Sequence, residues 1–364
     1  MILNLRSTSI ADTLTIIPTY QCTSACKDCC FGSNPQIRGR LSQENVLKAI
    51  SEAAKSGIRL LVFSGGECFL LGKDLDAAIA YATQLGMVSR CVTNGYWATH
   101  EEVARRRLEE LQNAGLTEIN FSTGDMHQQF VPVERVINGC MSALALKMRC
   151  AVMVEIRKDR KFTQTNLLSD ARLNRILKGS VESSLFSVVE SPWMPSEPGS
   201  VVDQDANLLV NATNVIARDR CTSVVSTFVL DPYGQVGACC GLTRHRIPEM
   251  MLGSIEEHSL SSLIDSAIND FLKIWIYVEG PEKIIAWAAG KDPSIEWKDR
   301  YAHVCHACLA LYQDQKVKQV IRDFHEEKIA DVYFRYFLLT QYEAASIDSN
   351  SAPHREKSQL IEMH

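Results

Sequence analysis

Gly57-Ile-Arg-Leu-Leu-Val-Phe-Ser-Gly-Gly66 is the first of three glycine-bounded segments that decide the fold of this chain. The same arrangement returns 29 residues later at Gly86–Gly95 and again at Gly115–Gly124. The first glycine of each segment ends a helical stretch and precedes a short apolar run, as expected for a left-handed helix cap that leads into a strand. The last glycine marks the turn after that strand. The repeat therefore predicts successive βα units.

Short β-branched runs continue this alternation from about residue 13 to residue 190. They alternate with amphipathic stretches such as Ser42–Ser56 and His100–Ala114, a pattern typical of parallel strands joined by crossover helices. The sequence therefore predicts an α/β fold, a partial (β/α)6 TIM-like barrel whose ligands bind at the carboxyl ends of the strands. The six predicted strands are Leu14–Pro18, Arg59–Phe63, Val88–Val92, Glu118–Phe121, Arg149–Ile156 and Leu185–Val189.

The character of the sequence changes after residue 190, where a proline-rich stretch begins. We expect a domain boundary there, followed by a small C-terminal α+β extension built on a hairpin of Val224–Leu230 and Gln235–Ala238. Helices are expected at Ser259–Ile274 and at about Gln313–Ala345. The predicted organisation is an N-terminal segment (1–12), the barrel (13–200), the extension (201–312), a C-terminal helix (313–345) and a flexible tail (346–364).

Composition excludes several classes of protein. Of the 364 residues, 46% are hydrophobic and 22% are charged, which are the proportions of a globular protein. The net charge of −5 without a basic block argues against nucleic-acid binding. No run approaches the roughly 18 apolar residues of a membrane-spanning helix. The start of the chain carries no recognisable secretion signal, so thirteen cysteines predict a cytoplasmic protein whose clustered thiols bind metal or act in redox chemistry.

Three cysteines lie at short spacing directly after the first predicted strand. Cys22, Cys26 and Cys29, here called the first cysteine set, form a C-x3-C-x2-C loop. Three thiolates can bind three irons of a [4Fe-4S] cube and leave the fourth iron open to a substrate or cofactor. Zinc is the alternative, with Cys30 as a fourth ligand. Adjacent cysteines rarely close on one metal, however, and zinc would leave the glycine turn before Glu67 unexplained.

The first cysteine set, in this position, resembles the signature of the radical S-adenosylmethionine (SAM) superfamily, and the resemblance covers about residues 13–200. Gly65-Gly66-Glu67 looks like the GGE motif of that family, which holds the methionine amino group of SAM. Many members have an aromatic residue just before the third cysteine, packed near the adenine. This chain has Asp28 there, and its nearest aromatic residue is Phe31.

Further similarities to the family lie on the turns after the third, fourth and fifth strands. Arg157 stands where members often place a cation for the SAM carboxylate. Asp125 and His127 follow the fourth strand and are candidate catalytic groups that would face the substrate, although His127 is about equally well explained as a helix-start residue satisfied by local hydrogen bonds. The remaining cofactor-binding candidates are Thr93, Asn94 and Ser122.

The resemblance implies an enzyme that reductively cleaves SAM to a 5′-deoxyadenosyl radical, which removes a hydrogen atom from its substrate. An external electron donor of the flavodoxin or ferredoxin type is then expected. The preferred substrate is a ribosomally made peptide, modified by a cross-link or an epimerisation, and the runner-up is a small sugar or aminocyclitol. Only about a dozen residues precede the first strand, so a peptide would need a separate leader-recognition protein or direct docking. A non-catalytic iron–sulfur or zinc module is the alternative from another class.

Four later cysteines form the second cysteine set: Cys221, Cys239, Cys305 and Cys308. Their C-x12-G-x4-C hairpin, closed by a distant C-x2-C, resembles the twitch or truncated SPASM extension of radical SAM enzymes. The resemblance implies one auxiliary [4Fe-4S] cluster, with structural zinc as the alternative. Cys240 can replace Cys239 as a ligand, although the spacing to the glycine favours Cys239. The other thiols are expected to pack in the core: Cys68, Cys91, Cys140 and Cys150.

Overall fold

The computed structural model describes residues 10–194 and 203–349. Six strands pair in parallel with their neighbours in the chain, and each overlaps one of the six strands predicted from the sequence. The predicted α/β fold with a partial TIM-like barrel is therefore confirmed. The strands are β1 (Thr13–Ile16), β2 (Leu60–Phe63), β3 (Val88–Thr93), β4 (Glu118–Thr123), β5 (Arg149–Ile156) and β6 (Phe186–Pro192).

Helices connect these strands as the amphipathic pattern predicts. The first buries Val46, Ala49, Ile50 and Ala53, which recur at helical spacing, so one face of it packs into the core. Three short helices, in place of one, join β5 to β6. The helices of the barrel are α1 (Gln43–Lys55), α2 (Lys73–Gln84), α3 (Glu101–Ala114), α4 (Val133–Ala145), α5 (Gln164–Leu168), α6 (Ala171–Ile176) and α7 (Ser180–Leu185).

The extension continues the barrel sheet. Its hairpin, β7 (Thr227–Leu230) and β8 (Gln235–Gly237), is confirmed as an antiparallel pair, and a third strand, β9 (Met251–Ser254), pairs with β8. The sequence did not predict that β7 would pair in parallel with β1. The sheet accordingly has nine strands in the order β6-β5-β4-β3-β2-β1-β7-β8-β9. The predicted domain boundary near residue 200 stays a prediction, because residues 195–202 lie outside the described part.

The C-terminal helices differ from the sequence prediction. The expected single helix at 259–274 is wrong, because Asp270 accepts a hydrogen bond from the Lys273 amide at 3.1 Å and starts a new helix. The expected helix at 313–345 is also wrong as a single element, because it is divided at His325 into two helices, the first of which Asp314 caps through the Lys316 amide at 2.8 Å. The helices are α8 (Leu260–Ile268), α9 (Phe271–Glu279), α10 (Pro281–Lys291), α11 (Val304–Gln313), α12 (Gln315–Phe324) and α13 (Glu326–Ser349).

Two other expectations concern the chain end and the membrane. The last helix runs on to Ser349, beyond the predicted start of the tail at residue 346, and the rest of the predicted tail (350–364) lies outside the described residues. Within residues 10–194 and 203–349, no helix combines the length and the apolar character needed to cross a bilayer.

Four of the thirteen cysteines lie deep in the core, as predicted. Cys68 and Cys91 are fully buried, and the Cys68 thiol donates to the Val92 carbonyl at 3.3 Å. Cys140 and Cys150 pack in the same core. These thiols therefore serve as small apolar side chains and leave the other nine for chemistry.

A glycine follows the helix in each repeat, and the space around the glycine differs between the first repeat and the third. Gly57 has a φ of +87° and open space where a Cβ would point, whereas Gly115 has a φ of +108° and a Cβ would lie 2.1 Å from Thr83 Oγ1. Both positions adopt the left-handed conformation, but only Gly115 also packs closely against α2.

Alanine should therefore cost more at the third repeat than at the first. We expect Gly57→Ala to lower the free energy of unfolding by about 1 kcal/mol, from backbone strain alone. Gly115→Ala should lower it by roughly 2–4 kcal/mol, because the contact with Thr83 adds an overpacking cost. Anaerobic chemical denaturation of both variants measures the difference, and equal losses would contradict the close approach.

Candidate functional site

One cleft of about 1040 Å³, counting solvent at its mouth, lies at the carboxyl ends of the barrel strands. Loops after five strands contribute to its lining, as expected for a fold in which parallel strands end on one face. The cleft brings together most of the residues predicted to form the site. Those that line it are Cys22, Cys26, Cys29, Gly65, Gly66, Thr93, Asn94, Ser122 and His127.

Asn94, in the turn after β3, holds the loop that carries the first cysteine set. Its side-chain amide donates to Thr23 Oγ1 at 3.0 Å and to Ser24 Oγ at 3.3 Å, and it lies 3.5 Å from Cys22 Sγ. The Ser24 amide also donates to Cys22 Sγ, at 3.4 Å. The cysteine loop is thus held by its own hydrogen bond and by the turn after β3, which lies two strands away in the sheet.

The thiols of the first cysteine set differ in acidity. Burial raises the pKa of Cys22 to about 11 and that of Cys26 to about 12. The pKa of Cys29 is lowered to about 6, chiefly by a hydrogen bond with Cys30. Three neighbouring thiolates therefore require a cationic partner, and bound iron is the kind of group that deprotonates such ligands.

The glycine turn after β2 packs against the segment that leads into Cys22. A Cβ on Gly65 would lie 2.8 Å from the Thr19 carbonyl oxygen, and a Cβ on Gly66 would lie 2.2 Å from the Gln21 carbonyl oxygen. No side chain fits at either position, so the turn presents its backbone to the cleft.

Glu67 follows this turn and lies beneath the cleft, outside its lining. Its carboxylate accepts hydrogen bonds from Thr93 Oγ1 at 2.9 Å, from the Asn94 amide at 2.9 Å and from the Phe69 amide at 3.1 Å. It therefore joins the turn after β2 to the turn after β3. Burial raises the pKa of Glu67 to about 7 against these hydrogen bonds, which lower it.

Glu155, a buried carboxylate that the sequence analysis missed, pairs with His127 in the wall of the cleft. Glu155 Oε2, at the carboxyl end of β5, lies 2.6 Å from His127 Nδ1, and Oε1 accepts from the Met126 amide. The Trp193 ring meets the His127 ring edge-on, with centroids 5.6 Å apart. One signal existed in the sequence, since Glu155 is the lone charge in the apolar run that ends β5.

Besides Glu67, two further predicted site residues do not line the cleft. The Asp125 carboxylate accepts from the Lys161 amide at 2.7 Å and from the Phe162 amide at 3.1 Å, and it lines a separate shallow pocket. Arg157 pairs with Asp159 at 3.1 Å just beyond the end of β5. The geometry therefore gives no support to a catalytic Asp125 or to a contact of Arg157 with a carboxylate bound in the cleft.

The cleft wall carries polar atoms that await a ligand. Ser33 Oγ, Thr123 Oγ1 and Trp193 Nε1 line it, are buried, and have no hydrogen-bond partner among the described residues. Buried polar groups are costly when unpaired, so their presence here indicates a polar ligand. A molecule that carries amino-acid and ribose groups fits this requirement, and the open thiols of the first cysteine set fit an iron–sulfur cluster.

The thiols of the second cysteine set also come together, and they line a pocket of about 530 Å³, counting solvent at its mouth. A Cβ on Gly241 would lie 3.2 Å from Cys239 Sγ and 3.4 Å from Cys305 Sγ, so these two sulfurs flank one point. Cys240 lines the same pocket, which keeps both neighbours available as ligands. Leu242 lines this pocket and the cleft, so one side chain is shared by their walls.

The arrangement of these thiols bears on the zinc alternative. Across the described ranges, no three His, Cys, Asp or Glu side chains converge closely enough to bind a single metal ion. In a [4Fe-4S] cube each thiolate binds a different iron, so the ligands need not meet at one point. The arrangement of both sets is therefore compatible with the [4Fe-4S] cluster that the resemblance implies for each.

Comparison with known proteins gives a family match over the first part of the barrel. Residues 16–139 match the sequence model of the Radical SAM superfamily. YydG of Bacillus subtilis (strain 168), whose name assigns it provisionally to peptide biosynthesis, is 25% identical over 131 residues, or 35% of this chain and 40% of YydG. The PqqA peptide cyclase of Xanthomonas oryzae pv. oryzae (strain MAFF 311018) is 34% identical over 112 residues, or 30% of this chain and 28% of the cyclase. The chain thus matches less than half the length of these curated relatives.

Solved structures share the fold. The structure of native anSMEcpe with bound AdoMet and Cp18Cys peptide has a TM-score of 0.52 at 13% identity and covers 90% of this chain and 99% of its own. Streptococcus suis SuiB bound to S-adenosylmethionine has a TM-score of 0.52 at 14% identity and covers 70% of this chain and 65% of its own. At such identities the likeness concerns the fold alone.

Glu67 should make the stability of the protein depend on pH. Because its folded pKa of about 7 lies above the ordinary 4.5, the folded state keeps a proton that the unfolded state loses. Its contribution to stability is therefore present below pH 4.5 and is lost as the pH rises through 7. The stability of the wild type relative to Glu67→Gln should fall by roughly 3 kcal/mol over this range.

Denaturation of both proteins at a series of pH values measures this difference. Glu44→Gln, at an exposed position on α1, is the control for the same chemical change without burial. A difference between wild type and Glu67→Gln that stays constant with pH would contradict the predicted titration.

Proposed function

We propose that this chain, in which residues 16–139 match the sequence model of the Radical SAM superfamily, is an enzyme that cleaves SAM reductively and removes a hydrogen atom from a peptide. The observation that carries this proposal is the cleft, in which the first cysteine set, a backbone-lined glycine turn and a histidine–carboxylate pair meet. A scaffold without turnover has no use for such a pair beside a cluster loop.

The residues of the cleft divide into those that would hold the cofactors and those that would act on the substrate. A [4Fe-4S] cluster with SAM supplies, when bound and reduced, a carbon radical that removes a hydrogen atom. The first cysteine set would hold this cluster, with one iron left to SAM. Gly65 and Gly66 would let SAM approach the backbone, while Thr93, Asn94 and Ser122 line the adjoining wall.

His127 and Glu155 are suited to take up a proton. If His127 Nδ1 donates to the buried Glu155 carboxylate, Nε2 is left as a proton acceptor, and the carboxylate stabilises the protonated ring. A cross-link removes two hydrogens from a peptide, one as an atom taken up by the carbon radical and one as a proton, and the electron that remains would go to the oxidised auxiliary cluster of the second cysteine set. The pair would accept that proton within the cleft.

The second cysteine set would hold an auxiliary cluster, with Cys239 as the ligand and Cys240 as its neighbour. It lies behind Leu242, which also lines the cleft. A redox group held there would be separated from the cleft by one side chain. This closeness supports a part for the extension in oxidation of the substrate.

A peptide is the substrate class we favour, since the names of YydG and of PqqA peptide cyclase both refer to peptides. A cross-link suits a cleft that carries a proton acceptor, whereas an epimerisation would instead need a group that returns a hydrogen atom to the peptide radical. A small sugar or aminocyclitol is the alternative. A flavodoxin or ferredoxin is proposed as electron donor, and a separate leader-recognition protein as partner.

Two cysteine variants test the two cluster sites. Anaerobically reconstituted wild type should contain about eight irons, and Cys26→Ala or Cys221→Ala should each retain about four. With SAM and a reductant, Cys26→Ala should release no 5′-deoxyadenosine. Cys150→Ala, at a buried core thiol, is the control and should keep both clusters. Release of 5′-deoxyadenosine by Cys26→Ala would contradict the proposed reductive cleavage of SAM.

The substrate class is tested by supplying candidates to the reconstituted protein. Short peptides encoded beside the gene form one arm, and sugars and aminocyclitols form the other. A peptide that loses two hydrogens in the mass spectrum indicates a cross-link, and one that gains solvent deuterium indicates an epimerisation. Modification of the small molecules alone would overturn the peptide assignment.

The histidine–carboxylate pair is tested by Glu155→Gln. The variant cannot stabilise a protonated His127, so we expect the modified product to fall about a hundredfold while 5′-deoxyadenosine release continues. Gln129→Ala, at an exposed neighbour, should leave both products unchanged. A parallel loss of both products in Glu155→Gln would instead indicate a role in building the cleft.

A further inference from the structure

Arg244 is a buried charge that the proposed function does not use. It is 1% exposed and lines the pocket of the second cysteine set. Its guanidinium stays protonated at every pH a protein survives, so it cannot escape burial by losing its charge. A buried cation of this kind needs an anion nearby.

In the described part of the chain, no carboxylate lies within ion-pair distance of Arg244. The protein itself therefore supplies no anion to pair with this guanidinium. One nitrogen, Nη1, lies 3.9 Å from Met251 Sδ, whereas Nε and Nη2 are buried without a hydrogen-bond partner. The Tyr20 phenol lies nearby, but it is neutral because burial raises its pKa. The guanidinium therefore has donors in excess and a positive charge uncompensated by the protein.

The backbone of β8 leaves space for the Arg244 side chain beside the pocket. A Cβ on Gly237, in β8, would lie 3.0 Å from Arg244 Cδ, so the side chain runs against bare backbone. Leu242, two residues earlier, belongs to the wall between the pocket and the cleft. Arg244 is thus seated beside that shared wall.

Arg244 lines its pocket together with all four thiols of the second cysteine set and with Cys240. Among the described residues, no carboxylate lines this pocket. The sulfur-lined pocket is therefore where the missing anion would be held.

We propose that Arg244 is the buried counter-charge of the auxiliary cluster and raises its reduction potential. This inference rests on the proposed function, which assigns that cluster to the second cysteine set. A cube bound by four thiolates carries net negative charge, and reduction adds another electron. A fixed cation, and N–H groups that donate to sulfur, stabilise the reduced form more than the oxidised form.

The experiment uses the full chain with Cys22→Ala, Cys26→Ala and Cys29→Ala, which leaves one cluster to observe. Redox titration followed by electron paramagnetic resonance gives its potential with Arg244 intact, with Arg244→Gln and with Arg244→Lys. In Arg244→Gln we expect at least a tenfold lower ratio of reduced to oxidised cluster at a fixed potential, about 59 mV for a one-electron couple. Arg244→Lys keeps the charge and should recover most of the shift.

Arg246→Gln is the matched control. It also removes one positive charge, but from a side chain that is two residues further along the chain and lines neither pocket. It should leave the potential unchanged. Should Arg244→Gln lose its iron while Arg244→Lys keeps it, the need for a positive charge is supported directly.

Three results would overturn the inference while the auxiliary cluster itself stands. They are an unchanged potential in Arg244→Gln, an equal shift in Arg246→Gln, or loss of iron from Arg244→Gln and Arg244→Lys alike, which would indicate packing rather than charge. By contrast, the absence of iron from the parent with Arg244 intact would refute the auxiliary cluster of the proposed function.

Discussion

The carboxylate of Glu67 is the contact on which the site depends. It receives hydrogen bonds from the turn after β3, including the Asn94 amide, while its own backbone continues the glycine turn after β2. Asn94 in turn holds the cysteine loop after β1 through Thr23 and Ser24. One buried acid therefore joins the turns after β2 and β3, and Asn94, in the turn after β3, joins the loop after β1 to them. The cleft is rigid where a cluster and its cofactor would need fixed distances, although each loop alone has little regular structure.

Pairing of β7 with β1 has a second structural effect, since it brings the extension behind the cysteine loop. The two sulfur-lined sites then share Leu242, and Arg244 lines the pocket of the second cysteine set. A buried guanidinium in such a wall is unfavourable unless the pocket beside it holds negative charge. The extension thus supplies both the thiols that would hold a second cluster and the charge that such a cluster requires, and the hairpin geometry with Gly237 accommodates that charge.

The sequence was sufficient for the barrel because local signals act there. Glycine at a left-handed cap, such as Gly115 at the end of α3, is required by the backbone alone and is visible without tertiary structure. Long-range choices were not visible. The β7 strand reads as a hairpin arm, and its parallel pairing with β1 depends on residues more than 200 positions away. Glu155 was missed because a single carboxylate in an apolar strand gains meaning only once His127 lies opposite it. Asp270 was missed as a break because apolar residues recur at helical spacing on both sides of it, while its side chain caps the following helix.

The position of β1 between β2 and β7 also governs the order in which the protein can be assembled during synthesis. During synthesis, β1 can pair with β2 once about 60 residues have been made. It can pair with β7 only once Leu230 has been made. Until then one edge of β1 stays open, and the nascent loop after it has support on one side only. The sheet beside the first cysteine set is therefore complete only late in translation, once β7 has been made.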